Sequence, residues 1–174
     1  MKKLLIVVDF QVDFVTGALG FPKAKEVEEV IYEKIKLYQK NNDDIIFTFD
    51  THDDNYLNTV EGKKLPIVHC IKGTKGHALY GKVNEFKDRG VSFEKPTFGS
   101  LDLGIYLKDK NYQEIEVCGL VSNICVISNA VIAKSAIPNA VIKVDAKATA
   151  SFDEDLHEKA LDVLEGLHVE VVNR

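Results

Sequence analysis

The stretch IEVCGLVSNICVISNAVI, residues 115–132, decides the fold that the sequence predicts. It opens with a short β-branched run, Ile115 to Leu120, whose length and largely apolar residues are typical of a buried strand. After a short connection, apolar residues recur at helical spacing from Ile124 to Ile132. A strand followed directly by an apolar helix is the repeating unit of a parallel α/β sheet, so this stretch predicts one strand and one crossover helix.

The same unit recurs on both sides of this stretch. Apolar runs predict further strands at Leu4 to Val8, Ile45 to Phe49, Val141 to Val144 and Val169 to Val172. Helical spacing extends from Val27 to Tyr38, and Ser151-Phe-Asp-Glu154 fits a capping box that opens a final helix. Because hairpin signals are few, we expect right-handed helical crossovers. The sequence therefore predicts a single doubly wound α/β domain, with a mostly parallel sheet and helices on both faces.

Composition limits the classes of partner. The chain has 174 residues, is 45% hydrophobic and carries a formal net charge of -5, which suits one domain over residues 1–174. Interspersed acidic charge argues against nucleic acid or an anionic membrane as the main partner and favours a small molecule. The first apolar run stops at Asp9, too early for a signal peptide or a membrane span, so we expect a cytoplasmic protein. Three cysteines without an export signal make a disulfide framework a poor explanation.

Residues 51–100 depart from the α/β pattern. They contain two of the four prolines and six of the eleven glycines, with one modest helical pattern near Val83 to Phe86. A compact domain seldom carries so long an irregular segment without a functional reason. We expect this loop-rich segment to contribute to a site.

Two polar residues follow predicted strands, where doubly wound sheets bind their ligands. Asp9 places a carboxylate at the expected crevice, although an aspartate there also fits a turn or a helix cap. Cys125 falls at the start of the apolar helix, where backbone N–H groups and the helix dipole favour a thiolate and lower the pKa of the thiol. This position suits a nucleophile. The alternative is a small buried hydrophobe, which fits Cys118 inside the strand.

Lys95 precedes Pro96, so its backbone is biased toward an extended conformation. By itself it fits a surface lysine. If the fold brought Lys95 beside Cys125 and Asp9, its charge would stabilise a thiolate while Asp9 moved a proton. Sequence spacing alone does not determine whether these three residues lie close together.

Asp50 and His52 flank one residue at the end of a predicted strand, so an extended backbone would point both side chains to one side. With His69 they would form a two-histidine, one-carboxylate set with open positions for water or substrate. Glu61 is a candidate outer or water-mediated ligand. A turn with solvated side chains explains Asp50 and His52 equally well. The glycines do not form a nucleotide-binding fingerprint, so a dinucleotide cofactor is not supported.

Five segments carry a family resemblance in their joint spacing. They are Asp9-Phe-Gln-Val-Asp13-Phe14, Asp50-Thr-His52, Pro66-Ile-Val-His69-Cys70 with Gly73-Thr74-Lys-Gly76, Lys95-Pro-Thr-Phe98-Gly99-Ser100 and Gly119-Leu-Val-Ser-Asn-Ile-Cys125-Val126. In this order the chain resembles the isochorismatase-like cysteine hydrolases, and within them the nicotinamidase branch. One departure is that nicotinamidases commonly place a large aromatic residue just before the metal-site histidine, where this chain has Leu65-Pro66-Ile67-Val68.

The resemblance implies functional groups as well as a fold. It implies a catalytic triad of Asp9, Lys95 and Cys125, and a divalent metal held by Asp50, His52 and His69. Zinc is the first choice for the metal, with iron or manganese as alternatives. The implied reaction is hydrolysis of a small amide, nicotinamide or a related ring carboxamide, to the acid and ammonia through a thioester. Assembly with further copies of the chain stays open.

The resemblance also implies a cis peptide bond between Val121 and Ser122. Backbone N–H groups at Val121, Ser122 and Cys125 would form an oxyanion hole near it. Phe14 and Phe98 are candidates to flank the ring of a substrate, with core packing as the alternative for both.

Two other functions compete with amide hydrolysis. A non-haem iron oxygenase would use the same two-histidine, one-carboxylate set, but it leaves Asp9, Lys95 and Cys125 unexplained. A flavodoxin-like ligand-binding or redox-sensing module would use Cys125 as a regulated thiol, without turnover of any amide.

Overall fold

The computed structural model describes residues 2–174 and contains one parallel sheet of six strands. The strands are β1 (Lys3–Val8), β2 (Asp44–Asp50), β3 (Val91–Lys95), β4 (Glu114–Leu120), β5 (Val141–Ala150) and β6 (Glu170–Val172). Their order across the sheet is β3-β2-β1-β4-β5-β6, and each neighbouring pair is parallel. The predicted doubly wound α/β fold is confirmed.

Helices connect the strands and cover both faces of the sheet. The α-helices are α1 (Val12–Val15), α2 (Pro22–Glu26), α3 (Glu28–Lys40), α4 (Val60–Lys64), α5 (Leu101–Leu107), α6 (Ile127–Ala136) and α7 (Glu154–Gly166). Short 3-10 helices lie at Tyr56–Asn58 and Gly81–Phe86, and a π-helical turn spans Ser122–Val126. Within residues 2–174, none of these helices is long and apolar enough to cross a membrane.

The sheet separates two apolar cores, and β1 belongs to both. Leu4, Ile6 and Val8 face one core, while Leu5 and Val7 face the other. The first core is closed by α5, α6 and α7, and the second mainly by α3. Because β1 is buried on both faces, its sequence is a continuous apolar run rather than an alternating one.

The structure differs from the predicted elements in residues 51–100 and at the last helix. Strand β3 lies at the edge of the sheet and exposes most of its residues, so it lacks an apolar run. The cap of α7 is Asp153, whose side chain accepts from the N–H of Leu156 at 3.0 Å. The prediction that Ser151 opens the capping box is wrong, because the Ser151 hydroxyl accepts a hydrogen bond from the N–H of Asp153 at 3.1 Å, before the helix begins.

Strand order places a crevice at the centre of the sheet. The chain moves outward from β1 through β2 to β3 and then returns to the other side of β1 with β4. The crossovers therefore diverge between β1 and β4, and ligands of such sheets bind outside the carboxyl ends of the strands at this point. Gly119 in β4 lies so close to the Val8 carbonyl that any side chain there would collide with it.

Candidate active site

The carboxyl ends of three strands bring an acid, an ammonium and a thiol together. Asp9 follows β1, Lys95 ends β3 and Cys125 lies in the π-helical turn after β4. The Lys95 Nζ is 2.6 Å from Asp9 Oδ2 and 3.6 Å from Cys125 Sγ. All three residues are buried, with Cys125 the most accessible at 5% exposure.

A local bend and one hydroxyl fix the Asp9 carboxylate. Asp9 has φ of 45°, in the left-handed region that non-glycine residues seldom adopt. Thr48 in β2 donates a hydrogen bond from its Oγ1 to Asp9 Oδ1 at 2.7 Å. The other carboxylate oxygen, Oδ2, forms the ion pair with Lys95. Backbone strain of this kind is often found where a side chain must be held for function.

Lys95 reaches across the sheet edge to join the charged groups. Its Nζ donates to the Thr97 carbonyl at 2.9 Å and lies 3.7 Å from Asp50 Oδ1. Burial works against the charge of Lys95, but Asp9, Cys125 and Asp50 outweigh it and raise the pKa of Lys95 above its usual value. Lys95 is therefore a permanent ammonium at the centre of the group.

Burial raises the proton affinity of both groups that face Lys95. Burial raises the pKa of Asp9, and the ammonium of Lys95 opposes that rise. Burial and the neighbouring Asp9 also raise the pKa of the Cys125 thiol well above its usual value. The expectation of a lowered thiol pKa at a helix start is wrong, because Cys125 is the fourth residue of a buried π-helical turn. We infer a neutral thiol beside an aspartate–ammonium pair.

The cis peptide bond lies one residue earlier than expected. It joins Leu120 to Val121, so the expectation of a cis bond between Val121 and Ser122 is wrong. The bond therefore falls directly at the end of β4, and Val121 is already extended, with φ of -95° and ψ of 151°. The Val121 carbonyl accepts from the N–H groups of Ile124 and Val126, which closes the turn that carries Cys125.

Four potential metal ligands form a compact cluster beside the acid and the lysine. Ligand atoms of Asp50, His52, Glu61 and His69 lie within 4.8 Å of one another. The Nε2 atoms of His52 and His69 are 3.1 and 3.2 Å from Asp50 Oδ2, and 3.7 and 3.9 Å from Glu61 Oε1. Burial would raise the pKa of Asp50, but His52, His69 and Lys95 lower it below its usual value. Asp50 is therefore a carboxylate shared between the two clusters.

The surroundings of this cluster fit a divalent cation. The His69 Nδ1 lies 2.7 Å from the Ile67 carbonyl, which can only accept, so Nδ1 carries a hydrogen and Nε2 faces the other ligands. Such an outer hydrogen bond is typical of metal-binding histidines. Two imidazole nitrogens and two carboxylates, converging from different loops, are a donor set that zinc, iron and manganese accept.

Two side chains that follow β1 hold the ligand loops in place. Gln11 accepts from the Asp50 N–H at 2.8 Å and donates to the Asp50 carbonyl at 2.9 Å. Asp13 accepts from the N–H of Cys70 at 2.7 Å, where the backbone takes a φ of 47° directly after His69. The segment after β1 therefore positions both the acid and the metal-ligand cluster.

A cavity of about 300 Å³ opens onto both groups. Its polar wall includes Asp50, Glu61 and His69, and Cys125 contributes to its lining. Apolar side chains form the rest, among them Phe14, which is half-buried, and Phe98, which is 44% exposed. Neither phenylalanine is a fully buried core residue. Among the residues that the structure describes, no lysine or arginine lines this cavity.

Several supporting residues were not found from the sequence. Tyr56 packs against the rings of both histidines and donates to the Leu65 carbonyl at 2.8 Å. Asn129 donates to the carbonyls of Cys125 at 2.8 Å and Phe98 at 3.1 Å. Asn129 could have been noticed in the sequence, because it is a polar residue on the apolar face of its helix, one turn after Cys125. Tyr56 left no such signal in its loop.

The other two cysteines and two further histidines lie outside the metal-ligand cluster. Cys118 is buried inside β4, as the alternative for that cysteine predicts, and Cys70 is buried beside His69. His157 bonds through Nδ1 to the Ser122 hydroxyl at 2.8 Å, behind the turn that carries Cys125. His77 lies 2.8 Å from the Thr51 hydroxyl and takes no part in the metal-ligand cluster.

The fold and the site together define a doubly wound α/β domain with a cysteine, an acid–lysine pair and a candidate metal centre at one sheet edge. The isochorismatase domain model matches residues 3–174. The chain belongs to the isochorismatase family.

Individual relatives support the same assignment. A Bacillus subtilis (strain 168) protein, described as the uncharacterised isochorismatase family protein PncA, is 32% identical over 92% of this chain and 93% of its own. The crystal structure of nicotinamidase PncA from Bacillus subtilis is similar with a TM-score of 0.87 and 29% identity, covering 98% of this chain and 99% of that one. Pyrazinamidase of Pyrococcus horikoshii, solved in complex with zinc, shares the fold with a TM-score of 0.86 at 23% identity, and the match covers both chains completely, at 100% each.

Proposed function

We propose that the protein is a metal-containing cysteine amidohydrolase that converts a ring carboxamide, nicotinamide or a close relative, to the acid and ammonia. The observation that carries this proposal is the contact of one buried ammonium, Lys95, with both the Asp9 carboxylate and the Cys125 sulfur at the floor of an apolar cavity. A nucleophile beside a base whose orientation is fixed by a third group is the general signature of covalent catalysis. Similarity to a nicotinamidase of known structure supports the amide as the reacting group.

The first step uses the raised proton affinity of Asp9. As Cys125 Sγ attacks the amide carbon, the thiol proton moves to Asp9, whose raised pKa makes it a better base than an ordinary aspartate. Lys95 keeps its charge throughout and stabilises the negative charge that develops on the sulfur. Asp9 then passes the proton to the departing nitrogen, and a thioester remains on Cys125.

Backbone donors at the turn after β4 would stabilise the oxyanion. We assign this role to N–H groups of Val121, Ser122 and Cys125, each worth about 3 kcal/mol in the transition state. The Ser122 hydroxyl, bonded to His157, supports the turn from behind. In the second half of the reaction water attacks the thioester, with Asp9 as the base, and the acid leaves.

Asp50, His52 and His69 would hold the metal, with Glu61 as a further ligand directly or through water. A divalent cation there would supply a Lewis acid that orients a ring nitrogen of the substrate. Zinc is our first assignment, since the donor set suits it and a structural neighbour was solved with zinc. Iron and manganese fit the same donors.

The cavity favours an uncharged, planar substrate. Phe14 and Phe98 would flank its ring, and Leu65 adds an apolar side chain to the wall. Without a lysine or arginine in its lining, the described cavity offers no side-chain cation for a substrate carboxylate away from the metal-ligand wall. A neutral ring carboxamide is therefore favoured over an acidic amide.

Ammonia release measured with nicotinamide, pyrazinamide and aliphatic amides tests the proposal, with metal analysis of the same sample. We expect the ring carboxamides to be hydrolysed, about one metal ion per chain, and loss of turnover in Cys125→Ala. A protein that consumes oxygen with its metal, or whose thiol is reversibly oxidised while no amide is turned over, would contradict it. Oxygen consumption would still be consistent with Asp50, His52 and His69 as metal ligands. Reversible oxidation of the thiol alone would give these residues no role in the activity.

A further inference from the structure

The cavity does not end at the reacting groups. Along the sheet edge, Asp50 follows at the end of β2, Asp9 at β1, Cys125 after β4 and Phe152 after β5. Because neighbouring strands are about 4.8 Å apart, the ends of β2 and β5 are separated by about 14 Å. The same cavity contacts residues at both limits of this span, with Cys125 between them.

The far end of the cavity is aromatic and open to solvent. Phe21, which precedes α2, and Phe152 form a T-shaped pair with ring centroids 6.2 Å apart. Leu19 also lines the cavity, and Phe152 is 63% exposed. A ring so exposed at the mouth of an apolar cavity offers contact area that nothing in residues 2–174 covers.

A single-ring carboxamide would leave this end empty. In the proposed function, the ring lies at the metal-ligand wall and the carbonyl carbon lies at Cys125. Two substituents continue from the carbonyl carbon away from the ring: the oxygen, which the proposed backbone donors hold, and the amide nitrogen. A group carried on that nitrogen would therefore extend toward β5, where Phe21 and Phe152 lie.

We propose that Phe21 and Phe152 form a subsite for an apolar group on the amide nitrogen, so that the protein hydrolyses secondary carboxamides as well as primary ones. This inference rests on the proposed function. Aromatic side chains bind apolar groups through area burial and ring contacts, without a charged partner. The lining side chains at this end, Leu19, Phe21 and Phe152, are apolar, which suits an alkyl or benzyl substituent rather than a charged one.

The chemistry requires no additional reactant. The bond between Cys125 Sγ and the carbonyl carbon forms, the bond from that carbon to nitrogen breaks, and Asp9 transfers the thiol proton to the nitrogen. A primary amine leaves in place of ammonia, past the exposed face of Phe152. Water then hydrolyses the thioester to the same acid that the primary amide gives.

The test compares N-benzylnicotinamide with nicotinamide in the holoenzyme, by benzylamine and ammonia release. We expect the wild type to release benzylamine, and Phe152→Ala to lower the ratio of kcat/KM for N-benzylnicotinamide over nicotinamide by at least about fivefold. Phe152 is exposed, so this variant should fold. Leu37→Ala, at another exposed apolar position on α3 with 53% exposure, should leave the ratio unchanged.

Binding gives a readout independent of turnover. In the Cys125→Ala background, calorimetry should show N-benzylnicotinamide losing at least about fivefold in affinity when Phe152 becomes alanine. Nicotinamide hydrolysis without benzylamine release overturns the inference and leaves the proposed function intact. The inference is also overturned if Phe152→Ala does not change the ratio of the two kcat/KM values. It is overturned as well if Phe152→Ala affects only a primary bicyclic amide such as quinoline-3-carboxamide. Absence of turnover with every amide contradicts both.

Discussion

Two groups of buried charges lie on this sheet, and one has the chemistry of a site. The edge cluster consists of Asp9, Lys95 and Asp50 at the carboxyl ends of the strands. The mid-sheet cluster consists of Lys34 of α3, Glu116 of β4 and Asp145 of β5. The Lys34 Nζ lies 2.7 Å from Glu116 Oε1 and 2.5 Å from Asp145 Oδ2.

The two clusters differ in what surrounds them. In the mid-sheet cluster, Tyr38 donates to Glu116 at 2.9 Å and Asn173 donates to Asp145 at 2.9 Å, so protein groups pair the charges from several sides. In the edge cluster a thiol lies beside the ammonium and a cavity opens above it. Buried charge by itself therefore indicates a stabilised network, while buried charge with a nucleophile and a cavity indicates catalysis.

The largest difference should come from two of the three buried cysteines, Cys125 and Cys118. Cys125→Ala should lower kcat for ring carboxamides by at least about 10⁴-fold, because it removes the nucleophile of covalent catalysis. Cys118→Ala, inside β4 and away from the cavity, should leave kcat unchanged and cost about 1 kcal/mol of unfolding free energy. Ammonia release and urea unfolding measure the two effects. Equal activity losses in both variants would remove the distinction.

The same substitution in each cluster sharpens the comparison. Lys95→Met should lower kcat by about 10³-fold, because the developing thiolate loses its counter-charge. Lys34→Met should leave kcat unchanged and lower the unfolding free energy by about 2 kcal/mol, since Glu116 and Asp145 lose their cation at a site that is still partly hydrated. Thermal unfolding should then shift by about 4–8 °C. Loss of activity in Lys34→Met with unchanged stability would reverse the two assignments.

Much of the fold follows from sequence, and the reason is burial on both faces. Strand β1 is a continuous apolar run from Leu4 to Val8, and β4 is apolar apart from its glutamates, because each lies between two helix layers, and such segments stand out in the sequence. Strand β3 does not, because an edge strand with exposed side chains has no apolar run to detect. Helix α5 has only seven residues, too few for a clear helical period.

The site was predictable where it coincides with strand ends. Asp9 and Cys125 stand out because each follows an apolar run, but Lys95 ends the one strand that the pattern misses. Its contact with both depends on three strands coming together from distant parts of the chain, which spacing does not encode. The thiol pKa was also mispredicted, because the helix dipole is a local feature and burial is a tertiary one.

A smaller effect should separate residues that support the metal-ligand cluster from those that do not. Gln11→Leu removes both hydrogen bonds to the Asp50 backbone and should weaken metal affinity by about 10- to 100-fold. Gln39→Leu, on the exposed face of α3, is the matched control and should bind metal as the wild type does. Competition with a chromogenic chelator measures both. Equal affinity in the two variants would exclude a positioning role for Gln11.

The smallest expected effects concern pH, and the two clusters should respond at opposite ends of the scale. Burial raises the pKa of Asp9, and a base must be deprotonated, so kcat/KM should fall on the acid side at a pH above the ordinary aspartate value of 3.8. A kcat/KM that stays constant down to pH 4 would contradict the role of Asp9 as the base.

On the alkaline side, the mid-sheet cluster should control stability. Burial lowers the pKa of Lys34, but its bonds with Asp145 and Glu116 outweigh burial and raise it above the usual 10.5. A raised pKa in the folded state stabilises the protein below pH 10.5, and this contribution is lost as pH rises through the folded value. Urea unfolding should therefore show a decline above pH 10.5 that Lys34→Met lacks. An identical decline in both proteins would assign it to other groups.

The central claim, that Cys125 forms a covalent acyl intermediate beside Asp9 and Lys95, can be tested by acid quench. Protein mixed with excess nicotinamide, quenched within the first turnovers and digested, should yield the peptide containing Cys125 with an added nicotinoyl group that hydroxylamine removes. Fragmentation of that peptide should place the group on Cys125 and not on Cys118, which lies seven residues earlier, and the peptide containing Cys70 should be unmodified. Steady hydrolysis with no acyl group on any cysteine, and with full activity retained in Cys125→Ala, would contradict the account.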